Sequence, residues 1–451
     1  MIRLGKLVFF LTFFAMMVQA LIFFVGNPNE LMMVPLVLIL GGAGVFFLRR
    51  EADEDVDFQI DIFLWAFSIR LWMGMILYGW GLSELFGDED ASGYIFGWQF
   101  ASNWYQNGLD GLITNLTDVF FTKQNVGQAV IWAIPTFLAG GQSRMIVSVV
   151  NSFAGALLVI VIFRMTRQLF NAATGRIAAI LVTFWASNIL LSAATAKEML
   201  VIFFEWTILY LLIRDEKGIT AKSGLLALPA FLAVFSMRFY ALYILAAAAV
   251  FKFFVSSREN LARNVVFGSV LVSGLMIFLG AGGAISRDFD RIERLNDRVE
   301  SWRSNVGRYS GSGVEIYSEY ENPTVAIPVA TVYFLFAPFP WEIFSGTARN
   351  AFGAIENLFI LIILLMGFPA LKIFFVDKFG QMAPVFVFCL LYAAMQIWGL
   401  SNVGLAWRHK QTIMPLFFML VAVAISQRRA GWQLLTGQFR RDRRLNIIRA
   451  N

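Results

Sequence analysis

The sequence predicts an all-α polytopic membrane protein of about 12 transmembrane helices, with interfacial helices and one longer outer loop. Three observations carry that prediction. Of the 451 residues, 59% are hydrophobic and 16% aromatic, while only 15% are charged; soluble domains stand nearer to half apolar and a quarter charged. Apolar runs of about 20 residues, the length that crosses the hydrocarbon of a bilayer, recur along the chain. Charged residues concentrate in the segments between those runs.

Lys6 to Phe24 is the first long apolar run. It reads as a membrane anchor rather than a cleaved leader, because the run is long and no small-x-small cleavage site follows it. The turn Gly26-Asn27-Pro28-Asn29-Glu30 leads into a second span at 31–48, followed by Arg49, Arg50 and an acidic stretch at 51–57. The third span, 62–86, delivers the chain to three consecutive carboxylates, Asp88, Glu89 and Asp90. Segment 91–125, with Tyr94, Phe96, Trp98, Trp104 and Tyr105, is too polar to span and reads as one or two helices lying in the interface. The run 127–139 is short and contains Pro135, which predicts partial insertion.

Further spans are expected at 144–165, 177–194, 197–213, 222–237, 239–255 and 264–284. The longest polar stretch, 285–323, follows. The run 325–341 ends in Ala337-Pro338-Phe339-Pro340-Trp341-Glu342 and reads as re-entrant or surface-lying. Spans at 353–375, 382–400 and 411–426 precede a basic tail. The chain thus divides into an N-terminal pair of spans (1–61), a transmembrane core (62–284) with an outer loop at 87–126, an extracytoplasmic segment (285–352) and a C-terminal set of spans with its tail (353–451).

Composition also excludes classes. The single cysteine, Cys389, rules out an intrachain disulfide and a cysteine metal cluster, and the single histidine, His409, rules out paired-histidine metal motifs. The net charge of +6 is better explained by basic cytoplasmic loops than by nucleic-acid binding. With the N-terminus in the cytoplasm, short cytoplasmic segments collect most of the lysines and arginines. The 285–323 loop is net acidic, with six Arg against eight Asp and Glu. Both termini are then cytoplasmic and the Asp88–Asp90 cluster faces outward.

That topology gathers a short list of polar residues on the outer face: Asp88, Glu89, Asp90, Lys197, Glu198, Arg238 and the segment Trp407-Arg408-His409-Lys410. Each has a bland reading as a solvated helix end, a self-paired turn or a snorkelling side chain. Together they suit one chemistry. Moving a sugar from a lipid-linked phosphate to a hydroxyl or amine needs a base for the acceptor proton, a task for a carboxylate. It also needs cations on the leaving phosphate, where arginine's planar fork fits.

The sequence resembles the polytopic GT-C glycosyltransferases, in particular the protein O-mannosyltransferase-like and aminoarabinose-transferase-like enzymes that use polyprenyl-phosphate sugars. In that group an outward loop after a span carries an Asp-x-x-x-Tyr pattern ahead of a membrane-surface helix. Asp90-Ala91-Ser92-Gly93-Tyr94 matches it, with Trp98 and Ala101 continuing the helix. The stretches Ser148 to Ala156, Phe163 to Phe170 and Ala172 to Ala179 are similar to the next span and its cytoplasmic turn. Lys197-Glu198 takes the place of the second outward turn. The resemblance covers 62–255; the two spans before it and the absence of a large soluble C-terminal domain depart from the pattern.

By resemblance, Asp90 is the catalytic base, with Asp88 or Glu89 as second choice. Lys197, Arg238 and Arg408 bind the donor phosphate, and Tyr94, Glu198 and His409 orient substrate. The resemblance implies inversion in one displacement and no fixed cofactor; a divalent cation, Mg or Mn, serves some members. Expected partners are a polyprenyl-phosphate-linked sugar, a glycan, lipid or protein acceptor, and the bilayer, with no nucleic acid. The expected setting is the bacterial inner membrane and cell-envelope polysaccharide synthesis. Two alternatives stand. A polysaccharide polymerase or O-antigen ligase-like enzyme would rely on loop arginines such as Arg291, Arg294 and Arg298. A transporter or lipid flippase would bind near the midplane through broken helices and repeats; no repeat is visible, and Arg70 and Glu205 are the mid-span ionisable exceptions.

Overall fold

The computed structural model describes residues 2–23, 28–51, 53–83, 93–123, 125–214, 221–255, 316–320, 322–344 and 348–428. Every regular element among them is helical. Helix α1 (Ile2–Phe23), α2 (Met33–Arg50) and α3 (Val56–Gly74, extended by a wider turn at Met75–Gly79) form the N-terminal group. Helices α4 (Gly93–Thr117) and α5 (Gln128–Ala139) pack on each other beside it. Then come α6 (Arg144–Leu169), α7 (Ala172–Phe184), α8 (Ala186–Ala193), α9 (Glu198–Arg214), α10 (Ala221–Met237) and α11 (Phe239–Val255). The C-terminal group is α12 (Pro323–Phe336), α13 (Ala348–Gly367), α14 (Phe379–Trp398), α15 (Val403–Lys410) and α16 (Met414–Arg428).

Among the described residues six helices are long and apolar enough to cross a membrane, or eight if each of two bent pairs is one span. The chain is therefore an integral membrane protein. The expected span at 264–284 lies outside the described residues. Gln128–Ala139, Ser223–Met237, Phe239–Lys252 and Pro323–Phe336 are shorter apolar helices among the described residues. Segment 93–117 is a helix kinked at Gly108, where φ is 56°, which fits the expectation of one or two helices there. After α12 the chain turns through a cis Ala337–Pro338 bond into a short helical turn at Pro340–Glu342.

Helix α6 is the hub. It is buried over 78% of its span and packs against α3, α7, α8 and α9. Its start is fixed by Ser143, whose hydroxyl oxygen accepts the Ile146 N–H at 3.1 Å, and α7 is capped likewise by Asn171 on Thr174. One end of the bundle closes on charge. Arg167, in the last turn of α6, bonds Asp53 at 2.5 Å and Asp55 at 3.0 Å, while Arg176 of α7 reaches Asp55 at 2.6 Å and Arg164 reaches Glu51 at 2.5 Å.

Helices α7 and α8 would make one span but bend by 57° at Trp185, and α15 and α16 bend by 52°. A break frees carbonyls that lipid cannot satisfy, so the protein must. Arg70 of α3 does so, fully buried, donating to Val182 O at 3.3 Å, Thr183 O at 3.5 Å, Ala66 O at 2.9 Å and Ser192 Oγ at 3.0 Å. Gly155 makes room for it, since a Cβ there would lie 2.7 Å from Arg70 Nε. The two breaks touch: Trp185 Nε1 donates to Gln411 Oε1 at 3.0 Å. Mid-span Arg70 is thus a plug for a broken helix.

Candidate functional site

At the end of the bundle opposite Asp53, charge is held differently. The turn before α9 is set by Asn151 of α6, whose amide donates to Ala194 O and Ala196 O, both at 2.8 Å, while its own oxygen takes Trp132 Nε1 at 3.1 Å. Tyr78 joins from α3, its hydroxyl accepting the Thr195 N–H at 3.0 Å. These bonds fix the Lys197-Glu198 pair that opens α9. Lys197 donates to Asn125 O at 2.9 Å, and Glu198 is buried.

Glu198 meets two arginines from distant parts of the chain. Arg238, at the α10–α11 junction, and Arg408, in α15, each place a guanidinium nitrogen 3.9 Å from Glu198 Oε1. That is the outer edge of ion-pair distance, well beyond the 2.7–2.9 Å of a charge-assisted bond. Arg238 takes its firm contact elsewhere: Nη1 donates to Tyr392 OH at 2.8 Å, and its guanidinium lies 6.0 Å over the Tyr240 ring. The Tyr392 hydroxyl in turn shares a 2.8 Å bond with His409 Nδ1. Lys197 lies near enough to act electrostatically on both Glu198 and His409. Glu205, about two turns further along α9, is fully buried near Arg238, and neither carboxylate oxygen has a hydrogen-bond partner among the described residues.

The sequence-expected residues therefore separate into three groups. Lys197, Glu198, Arg238, Arg408 and His409 converge. Tyr94 lies apart, against Arg144, whose guanidinium carbon is 5.0 Å from its ring centre. Asp88, Glu89 and Asp90 fall outside the described residues, as do Arg291, Arg294 and Arg298. Sequence reasoning missed Tyr392, Tyr240, Asn151 and Gln396, whose amide donates to Tyr240 OH at 3.3 Å; a polar side chain in an otherwise apolar span was their only signal.

The neighbouring Lys410 has a structural task instead. It donates to Leu335 O at 3.3 Å, to Ala337 O at 3.1 Å and to Asn357 Oδ1, closing the end of α12. Beside it Glu356 accepts from the backbone N–H and hydroxyl of Ser187 at the start of α8. Among the described residues no group of three or more His, Cys, Asp or Glu side chains is placed to hold a metal ion. Glu198 is instead ringed by cations, a setting that suits an anion with oxygen acceptors. Comparison of the chain with protein-family models, with curated proteins and with solved structures finds no match.

Proposed function

We propose that the protein is a membrane glycosyltransferase of GT-C type that moves a sugar from a polyprenyl-phosphate donor to an acceptor on the extracytoplasmic face. The observation that carries this reading is the convergence of Lys197, Arg238 and Arg408 on one end of the bundle, from three separate segments, with Arg238 anchored by Tyr392 and both arginines held 3.9 Å from Glu198 rather than collapsed on it. A phosphate oxygen set between those guanidinium groups would gain charge-assisted bonds as negative charge grows on it during departure. A lipid tail would run down into the bilayer beside the apolar helices.

In this reaction the acceptor hydroxyl oxygen forms the new bond to the anomeric carbon as the bond from that carbon to the phosphate oxygen breaks. The electron pair leaves with the lipid phosphate, and the hydroxyl proton passes to a carboxylate, which the resemblance assigns to Asp90. Arg238 and Arg408 take the developing phosphate charge, Glu198 keeps the two guanidinium groups from closing on other anions, and His409 holds Tyr392 on Arg238. A twelve-span topology with both termini cytoplasmic, and a place in the bacterial inner membrane, belong to the same reading.

The broken helices speak for a transporter, which binds substrate at such breaks. Here Arg70 fills the first break and Trp185 and Gln411 tie it to the second, so both are occupied by the protein itself. The transferase reading is tested with full-length protein in lipid nanodiscs and undecaprenyl phosphate as probe. Replacing Arg238 and Arg408 together by Gln is expected to weaken lipid-phosphate binding by about 100-fold or more, and Asp90→Asn to leave binding intact while stopping transfer in membranes. Undiminished binding by the double variant removes the donor site from this cluster.

A further inference from the structure

A cavity lies on the same end of the bundle. Gln19 of α1, Glu30 in the turn before α2, Tyr78, Tyr94, Gln142 and Arg144 line a cavity of about 440 Å³, within the range of small-molecule sites. Its chemistry is mixed in a specific way. Arg144 is held between two rings, 5.0 Å from the Tyr94 centre and 5.9 Å from that of Tyr78, which fixes the direction of its donors. Glu30 supplies acceptors, and it takes a hydrogen bond from Ser143 at the start of α6. The Gln19 and Gln142 amides supply both kinds of group.

One carboxylate and one guanidinium in the lining leave no preference for a ligand of net charge. Adjacent donors and acceptors beside aromatic edges suit a molecule whose every polar group both donates and accepts, which is the hydroxyl array of a sugar ring. The wall is also rigidly tied to the cationic turn, because Tyr78 both lines the cavity and accepts the Thr195 N–H two residues before Lys197. Ser83 lines it as well.

We propose that this cavity is the acceptor site and takes a neutral carbohydrate, with the two N-terminal helices α1 and α2 supplying its specificity wall. The word acceptor rests on the transferase reading; the carbohydrate site does not. Gln19 is the element of that wall easiest to move: a Cβ at Gly79 would collide with its amide, so Gly79→Ala pushes the flexible end of Gln19 aside.

The test uses the full chain in nanodiscs and saturation-transfer difference NMR, with the methyl glycosides of glucose, galactose, mannose and N-acetylglucosamine as probes. At least one is expected to give a signal that falls fivefold or more in Tyr94→Ala and changes its ranking among the four in Gly79→Ala. Glu30→Gln, which keeps the shape of the side chain, is expected to lower it as well and stands in if Tyr94→Ala fails to fold. The signal is expected to persist in Arg238→Gln. No signal from any of the four, or signals untouched in folded Tyr94→Ala and Glu30→Gln protein, overturns the site. If sugar binding behaves as expected while undecaprenyl phosphate binding is indifferent to Arg238 and Arg408, the transferase reading fails and the carbohydrate site remains.

Discussion

At the Asp53 end Arg167 closes on Asp53 at 2.5 Å and on Asp55 at 3.0 Å, whereas at the Lys197 end Arg238 and Arg408 both stop 3.9 Å short of Glu198. The first set is part-buried and is satisfied within itself; Arg176 adds a further bond to Asp55. In the second, Arg238 and Glu198 are almost wholly buried, and Glu198 Oε2 has no hydrogen-bond partner among the described residues. A clamp gains by collapsing its charges onto each other. A binding site gains by holding them apart, since a guanidinium already saturated by a carboxylate has less to offer a phosphate. The tyrosines that anchor Arg238 do this work without adding a counter-charge.

The largest effect that could break this contrast comes from the arginines. The single substitution Arg238→Gln is expected to lower transfer in membranes by about 100- to 1000-fold, with expression retained; a rate near that of the unaltered protein would make the Lys197 end another clamp. Next comes Glu198→Gln. Removing a negative charge from beside the phosphate position is expected to raise undecaprenyl phosphate affinity several-fold, read by titration in nanodiscs. A drop in affinity would mean that the carboxylate organises the arginines instead.

At the other end, Arg167→Gln is expected to lower stability by about 1 kcal/mol, the scale of partly exposed ion pairs, seen as a lower Tm in detergent with transfer unchanged. The smallest effect concerns pH. The Arg167 guanidinium holds Asp53 well below the usual carboxylate range. Burial pushes Asp55 up, but bonds from Arg176 and Arg167 outweigh it and leave the group lowered. A carboxyl whose folded value lies below its unfolded one, near 4, stabilises the fold above that pH and loses the contribution as pH falls through the folded value. Tm should therefore fall on acidification below about pH 4, and Asp53→Asn should blunt the fall; an equal slope in that variant would place the acid sensitivity elsewhere.

Several features were legible because they are local. The alternation of long apolar runs with charged turns can be read residue by residue. Glu198, Arg238, Arg408 and His409 could each be singled out as polar residues at the ends of runs. Arg70 reads from sequence as an isolated mid-span charge and a functional candidate. Its partners, the carbonyls of Val182 and Thr183, exist only because α7 breaks at Trp185.

By itself, then, the sequence determined the solvent this protein folds in and the helical form of its spans, because lipid forces each segment to satisfy its own backbone and apolar content is a property of the segment alone. Tertiary structure decided which charges close on one another and which are held apart. Arg238 and Tyr392 stand 154 residues apart, and Trp185 and Gln411 stand 226 apart. No periodicity or spacing encodes such meetings; they follow from how the helices pack and where two of them break.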